Sequence, residues 1–134
     1  MLDPRVRGAH TYEGILALKM GDLAKAEDAF KAELANDPSY QMAIAEMGEV
    51  RYHQENWTEA EDWLAKSKTM TPELLYMLSD ADFHLGKIQD ANLVAETAAA
   101  YGRNDSGFMR GLVALLARNR QTELARQLVP ASQP

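Results

Sequence analysis

The apolar residues of this chain recur at steps of three and four positions, as in the series Leu23, Ala26, Phe30 and Leu34. Because an α-helix turns once about every 3.6 residues, this spacing places the apolar side chains along one face of a helix. No segment shows the strict alternation of apolar and polar residues that would indicate a strand. The pattern therefore predicts an all-α protein.

The helices are predicted to occur in four pairs. The first helices of the pairs are predicted at about 7–19, 39–54, 72–85 and 106–118. Their partners are predicted at about 22–35, 57–69, 88–101 and 121–129. Asp37-Pro38 and Thr71-Pro72 each combine a capping side chain with a proline that cannot continue a helix, and Gly102 is expected to end one.

The chain also repeats itself at a fixed interval. Pro4, Pro38 and Pro72 are separated by 34 residues, and Gly14 and Gly48 share this spacing. The segment GDLAKAEDAF at 21–30 aligns in the same register with ENWTEAEDWL at 55–64. GKIQDANLVA at 86–95 is a third copy, and RQTELARQLV at 120–129 is a weaker fourth one. A period of this length indicates stacked helix pairs.

In the first unit an alanine, Ala26, stands four residues before Phe30, and Pro38 follows the second helix. With this pattern and its 34-residue period, the chain resembles the tetratricopeptide repeat family, whose unit is a helix-turn-helix. The resemblance implies a right-handed α-solenoid of about four helix pairs, a TPR-like superhelix. Its units are expected at about 7–38, 39–71, 72–103 and 104–129 of a single array.

Separate predictions apply to the two ends of the chain. Leu2, Asp3 and Pro4 align with the end of a repeat unit, so residues 1–6 are expected to be the tail of a removed upstream repeat. The chain is accordingly interpreted as a fragment of a larger protein. Residues 130–134, PASQP, are expected to be a frayed C-terminus.

Charge and composition narrow the possible partners. The chain has 134 residues, 20 of them acidic and 14 basic, which gives a net charge of −6. This charge disfavours nucleic acid and membrane surfaces, both of which are anionic. No cysteine is present, and no apolar run approaches membrane-spanning length. We expect a soluble domain whose compartment, cytoplasmic or periplasmic, depends on the parent protein.

The resemblance also implies a concave groove, lined by the first helix of each pair, that binds a peptide or a partner helix. The expected groove residues are Thr11, Ile15, Leu18, Lys19, Met42, Glu49, Tyr52, His53, Tyr76, Asp80, Phe83 and His84. An aromatic and aliphatic floor with two acidic side chains suits an apolar segment that carries lysine or arginine. The alternative is that Met42, Tyr52, Tyr76 and Phe83 simply pack between helices.

Three functions follow from these features. The leading hypothesis is a non-catalytic protein-protein interaction module without a cofactor. The second is a self-associating architectural segment whose contact is the exposed N-terminal end of the array. The third is a metal-dependent hydrolase, because Glu49 with His53 and Asp80 with His84 are i,i+4 pairs of metal-ligating residues. No catalytic or metal-ligating residue is assigned, since such pairs are also common contacts on a helix surface.

Overall fold

The computed structural model describes residues 8–129, and within this range the chain forms eight α-helices and no strand. The all-α prediction is therefore confirmed. The expectations for residues 1–6 and 130–134 lie outside the described residues. The chain divides into two compact units, residues 1–69 and 70–134, and each is described by itself.

The first unit contains two helix pairs. In chain order its helices are α1 (Ala9–Lys19), α2 (Leu23–Asn36), α3 (Gln41–His53) and α4 (Trp57–Lys66). Helix α1 packs on α2, α3 packs on α4, and α2 and α1 both contact α3. The core is formed by Ala17, Ala26, Phe30, Met47 and Val50.

Glycines allow the two helices of each pair in the first unit to approach closely. A Cβ atom at Gly14 would collide with the ring of Phe30. At Gly48 it would lie 2.7 Å from Cγ of Leu64 and 3.2 Å from the backbone nitrogen of the same residue. The glycine and the large residue that repeat every 34 positions are therefore partners across the helix crossing.

The second unit has the same order of helix pairs. Its helices are α5 (Pro72–His84), α6 (Ile88–Gly102), α7 (Ser106–Arg118) and α8 (Thr122–Leu128). Here Ser79 occupies the position of the glycine, and its hydroxyl donates a 2.8 Å hydrogen bond to the carbonyl of Ala91. Ala95 stands where the first unit has a large residue, and it is fully buried in the core with Leu112. At this crossing, α5 thus carries the larger Ser79 in place of glycine, and α6 carries the smaller Ala95 in place of the large residue.

Side chains cap several helix starts, among them the start predicted at Thr71-Pro72. Thr71 accepts a 3.2 Å hydrogen bond from the backbone nitrogen of Leu74, directly before Pro72 at the first position of α5. Asp105 accepts a 3.0 Å bond from the nitrogen of Phe108 at the start of α7. Each bond satisfies one of the backbone donors that a helix start leaves unpaired.

Helices α3 and α4 differ from their approximate predicted limits by two and three residues. Helix α3 begins at Gln41 rather than 39, because Asp37 accepts hydrogen bonds from the nitrogen and the hydroxyl of Ser39 and holds that residue in a turn. Helix α4 ends at Lys66 rather than 69. There the Ser67 hydroxyl bonds both the nitrogen and the carbonyl of Thr69, which gives the backbone an alternative to the helix.

An ion-pair network joins α2 to α3 in the first unit. Arg51 Nη1 lies 2.5 Å from Oε1 of Glu27, and Lys31 Nζ lies 2.7 Å from the other oxygen of that carboxylate. Hydrogen bonds from Lys31 and Gln54, with the charge of Arg51, lower the pKa of Glu27 to about 2. The network fixes the orientation of α3 relative to α2.

Candidate functional site

Helices α1 and α3 of the first unit form the walls of a cavity of about 250 Å³. Ile15, Leu18, Lys19, Glu46 and Glu49 line it, and we call it the α1–α3 pocket. Four of these five residues are among those expected to line a groove, and Glu46 is the fifth. The cavity is smaller than the roughly 300–1,000 Å³ of pockets that enclose drug-sized ligands, so it suits a single side chain of a partner.

Helical spacing brings these five side chains together. Ile15, Leu18 and Lys19 lie three and four residues apart on α1, and Glu46 and Glu49 lie three apart on α3, so each set shares one helix face. Ile15 and Leu18 are half-buried and pack against the core of the first unit. The pocket therefore has an apolar floor with charged groups above it.

Glu46 is the electrostatically unusual member of the pocket. Burial, and then the negative charge of Glu49, raise the pKa of Glu46 to about 7. Among residues 8–129, no side chain or backbone group forms a hydrogen bond or ion pair with its carboxyl group. The carboxylate thus has no ion-pair partner among these residues, and a cation bound directly beside it would favour its ionised form.

Beside the pocket, Glu49 belongs to a small polar and aromatic cluster with Tyr52, His53 and Trp57. Oε2 of Glu49 lies 3.6 Å from Nε2 of His53, which is an ion pair only when the imidazole is protonated. The half-buried Tyr52 ring packs edge-on against His53 and Trp57, at centroid distances of 5.4 and 5.6 Å. His53 is exposed, so this cluster forms a rim that a bound segment can contact.

The remaining two expected groove residues of the first unit lie elsewhere. Thr11 is only 1% exposed, and its nitrogen and hydroxyl donate hydrogen bonds of 3.1 and 3.2 Å to Oε1 of the buried Glu33. The side chain of Thr11 thus anchors the start of α1 to α2. Met42 is exposed on α3 and does not line the pocket.

In the second unit the expected groove residues divide between surface and core. Asp80 Oδ1 lies 3.4 Å from Nε2 of the exposed His84. Tyr76 packs edge-on against Phe108, and its hydroxyl accepts a 3.4 Å hydrogen bond from Arg118. Phe83 is buried in the core of this unit, so its ring offers little surface to a partner.

A larger cavity, of about 600 Å³, opens between α6 and α8 of the second unit. Ala99, Met109 and Leu128 are among its apolar walls, and Glu96 and Arg103 are its charged ones. It shares no residue with the expected groove. Its lining extends to Val129, where the described part of the chain ends.

Within the described residues, the structure does not bring enough potential ligands together to support the metal-site hypothesis. Across residues 8–129, no three histidine or acidic side chains are grouped so that they could hold a metal ion. Glu49 with His53 and Asp80 with His84 are two-residue contacts, one in each unit.

Glu46 is the residue of the pocket that sequence reasoning missed. A signal for it was present, because a residue three positions before Glu49 shares its helix face. The repeat register conceals this signal, since Tyr12 and Met77 occupy the corresponding positions of the neighbouring copies.

Comparisons with known proteins agree with the repeat pattern. Residues 13–73 match the sequence model of the tetratricopeptide repeat. Among solved structures, the chain is similar to YrrB, described as a TPR protein with an unusual peptide-binding site, with a TM-score of 0.78 at 19% identity. The match covers 94% of this chain but only 66% of that protein. No curated protein matches significantly. No helix in residues 8–129 has the length and apolar character needed to cross a membrane.

Proposed function

We propose that this chain, whose residues 13–73 match the tetratricopeptide repeat model, is a non-catalytic protein-protein interaction module. Its ligand is an apolar segment of a partner protein that carries a lysine or arginine. The α1–α3 pocket receives the basic side chain, and the adjoining surface of α3 contacts the apolar residues. YrrB is described as having a peptide-binding site, and the proposal extends peptide binding to this chain.

The observation that carries this proposal is the composition of the α1–α3 pocket. Ile15 and Leu18 give it an apolar floor, and Glu46 and Glu49 place two carboxyl groups in the same cavity. The aliphatic stem of lysine or arginine packs on apolar surface while its charged end meets a carboxylate. Such charge complementarity selects a basic partner more than it adds raw affinity.

The second unit carries an acidic surface of similar composition. Asp80 is half-buried on α5, and Tyr76 presents a partly exposed ring on the same helix. Both features resemble those beside the α1–α3 pocket, where Glu49 and Tyr52 lie on α3. We expect a single short segment to bind with micromolar affinity, about −8 kcal/mol.

Selection from a phage-displayed library of random peptides tests the proposal. Peptides selected by the full chain should contain lysine or arginine among apolar residues. They should bind a Glu49→Lys variant weakly, because the new charge repels the basic side chain. Glu13→Lys is the matched control, since Glu13 is exposed on α1 and does not line the pocket. Selected peptides without a basic residue, or with equal affinity for both variants, would contradict the proposal.

A second candidate function is self-association through α1. Tyr12, Leu16 and Met20 lie four residues apart on one face of this helix and are 59%, 47% and 84% exposed. An exposed apolar stripe of this kind is typical of a surface that contacts another protein.

Sedimentation over a wide range of protein concentration tests this second candidate. The apparent mass should rise with concentration, and Leu16→Lys should abolish the rise. Leu93→Lys is the control, because Leu93 is an exposed leucine of the second unit, on α6. A mass that stays monomeric at every concentration excludes this function.

A further inference from the structure

Two carboxyl groups share the α1–α3 pocket, and one of them has no partner in the described part of the chain. Glu46 is half-buried against the apolar floor and forms no hydrogen bond or ion pair with residues 8–129. Glu49 lies one helical turn away on the same wall. An ionised Glu46 is thus poorly solvated and repelled by its neighbour, whereas a protonated Glu46 avoids both costs.

We infer that a lysine or arginine side chain bound in the α1–α3 pocket displaces the proton of Glu46, so that binding of the partner segment tightens as the solution becomes less acidic. This inference rests on the proposed function. In the free protein the Glu46 carboxyl group holds a proton for part of the time. On binding, the proton leaves to solvent and the cationic group of the partner takes its place beside the carboxylate.

Among residues 8–129, two other charged side chains, Lys19 and Glu49, line the pocket with Glu46. Lys19 of α1 forms no ion pair with either glutamate in this part of the chain. Glu49 is the one acidic neighbour on α3. Helices α2 and α4 contribute no residue to the pocket lining. The surrounding charges therefore leave Glu46 as the proton-releasing group inside the pocket.

His53 is a further titratable neighbour of Glu49 and lies outside the pocket. Its Nε2 atom is 3.6 Å from Oε2 of Glu49, so it contacts the carboxylate that a bound cation would also contact. A variant that lacks this histidine is needed to separate its effect from that of Glu46.

The size of the effect follows from the pKa of Glu46, which is raised to about 7. The ionised fraction of such a group is about 9% at pH 6 and about 91% at pH 8. If the cation binds only the ionised form, the apparent dissociation constant scales inversely with this fraction and falls by about tenfold.

The experiment uses the full chain and two synthetic pentapeptides, both acetylated at the N-terminus and amidated at the C-terminus. One has the sequence ALKLA, and the other replaces its lysine with uncharged norleucine. NMR chemical-shift titrations at about pH 6 and about pH 8 measure weak as well as tight binding. The lysine peptide should bind about tenfold more tightly at the higher pH, whereas the norleucine peptide should show no tightening.

Three variants assign the effect. Glu46→Gln should weaken binding of the lysine peptide and remove most of its pH dependence. His53→Gln should keep most of that dependence, and Glu13→Gln should match the unmodified protein.

The outcomes separate this inference from the proposed function. Equal binding of the lysine peptide at both pH values would overturn the inference and leave peptide binding intact. Full pH dependence in Glu46→Gln, or its loss in His53→Gln, would also overturn the inference. No binding of either peptide at any pH would overturn both.

Discussion

Replacement of Gly48 with alanine tests whether the close crossing of α3 and α4 shapes the first unit. The added Cβ would lie 2.7 Å from Cγ and Cδ2 of Leu64 and 3.2 Å from its backbone nitrogen. The leucine side chain can rotate, but the backbone of α4 can yield only if the helix moves. The substitution therefore requires a shift of packed helices in the core.

Two opposing free energies determine how much Gly48→Ala changes the free energy of unfolding. Alanine is favoured over glycine inside a helix by about 1 kcal/mol. Overpacking of a core costs about 1–3 kcal/mol. Because the backbone contact at Leu64 limits relaxation, we expect the cost to exceed the gain and Gly48→Ala to lower the free energy of unfolding by about 1–2 kcal/mol.

Gly111 provides the matched control for the same substitution. It lies inside α7, and a Cβ there would meet no atom within 4 Å. Gly111→Ala should therefore raise the free energy of unfolding by up to about 1 kcal/mol.

Urea denaturation measures both effects. Trp57 and Trp63, the two tryptophans of the chain, lie in the first unit, so their fluorescence reports its unfolding. Circular dichroism follows all helices together and reports the Gly111→Ala change. In a Leu64→Ala background, Gly48→Ala should lose the part of its cost that comes from the leucine side chain and keep the part that comes from the backbone nitrogen of residue 64. Gly48→Ala that leaves stability unchanged or increases it would refute the packing argument.

Two further predictions concern the glutamates of the first unit. The pKa of Glu46 is raised to about 7 from the ordinary 4.5, so the folded state holds this proton more tightly than the unfolded state does. The contribution of this group to the free energy of unfolding is therefore full below a pH of about 4.5. It declines as the pH rises through 7. Glu46→Gln should therefore stabilise the protein more at about pH 8 than at about pH 5, by about 1–2 kcal/mol after allowance for solvent screening, in thermal or urea unfolding. An equal effect at both pH values would contradict this reasoning. Glu33→Leu should lower stability by about 1–3 kcal/mol, because the nitrogen and hydroxyl of Thr11 lose their buried acceptor. Glu33→Gln retains an acceptor oxygen and should cost less in the same urea titration, so equal losses in the two variants would show that the hydrogen bonds are not the cause.

Helix positions and the repeat period could be predicted from the sequence, because both depend on residues that are close together along the chain or recur at a fixed interval. Apolar spacing defines a helix face, and Thr71 with Pro72 defines a helix start, without knowledge of the rest of the fold. The start of α3 and the end of α4 differ from the approximate predicted limits because Ser39 and Ser67 form hydrogen bonds that compete with the helix.

Four of the five residues that line the α1–α3 pocket were named by repeat alignment, but the alignment treated equivalent positions as alike. Tyr52 and Phe83 align in neighbouring copies, yet Tyr52 is half-buried and Phe83 belongs to a core shared with the alanines of α6. Similarly, Thr11 aligns with groove positions, yet it is buried against Glu33. Side-chain exposure depends on which residues lie across each helix crossing, and this differs from one copy to the next.

The sequence by itself determined the all-α class, the helix pairs and the 34-residue repeat, since each rests on a period that recurs along the chain. Only the tertiary structure decided which side chains share a cavity and what surrounds them. The pKa of Glu46 is the clearest case, because it arises from burial between α1 and α3 and from the charge of Glu49. Burial and electrostatic interaction depend on the distances between residues in space, which the spacing of residues along the chain does not specify.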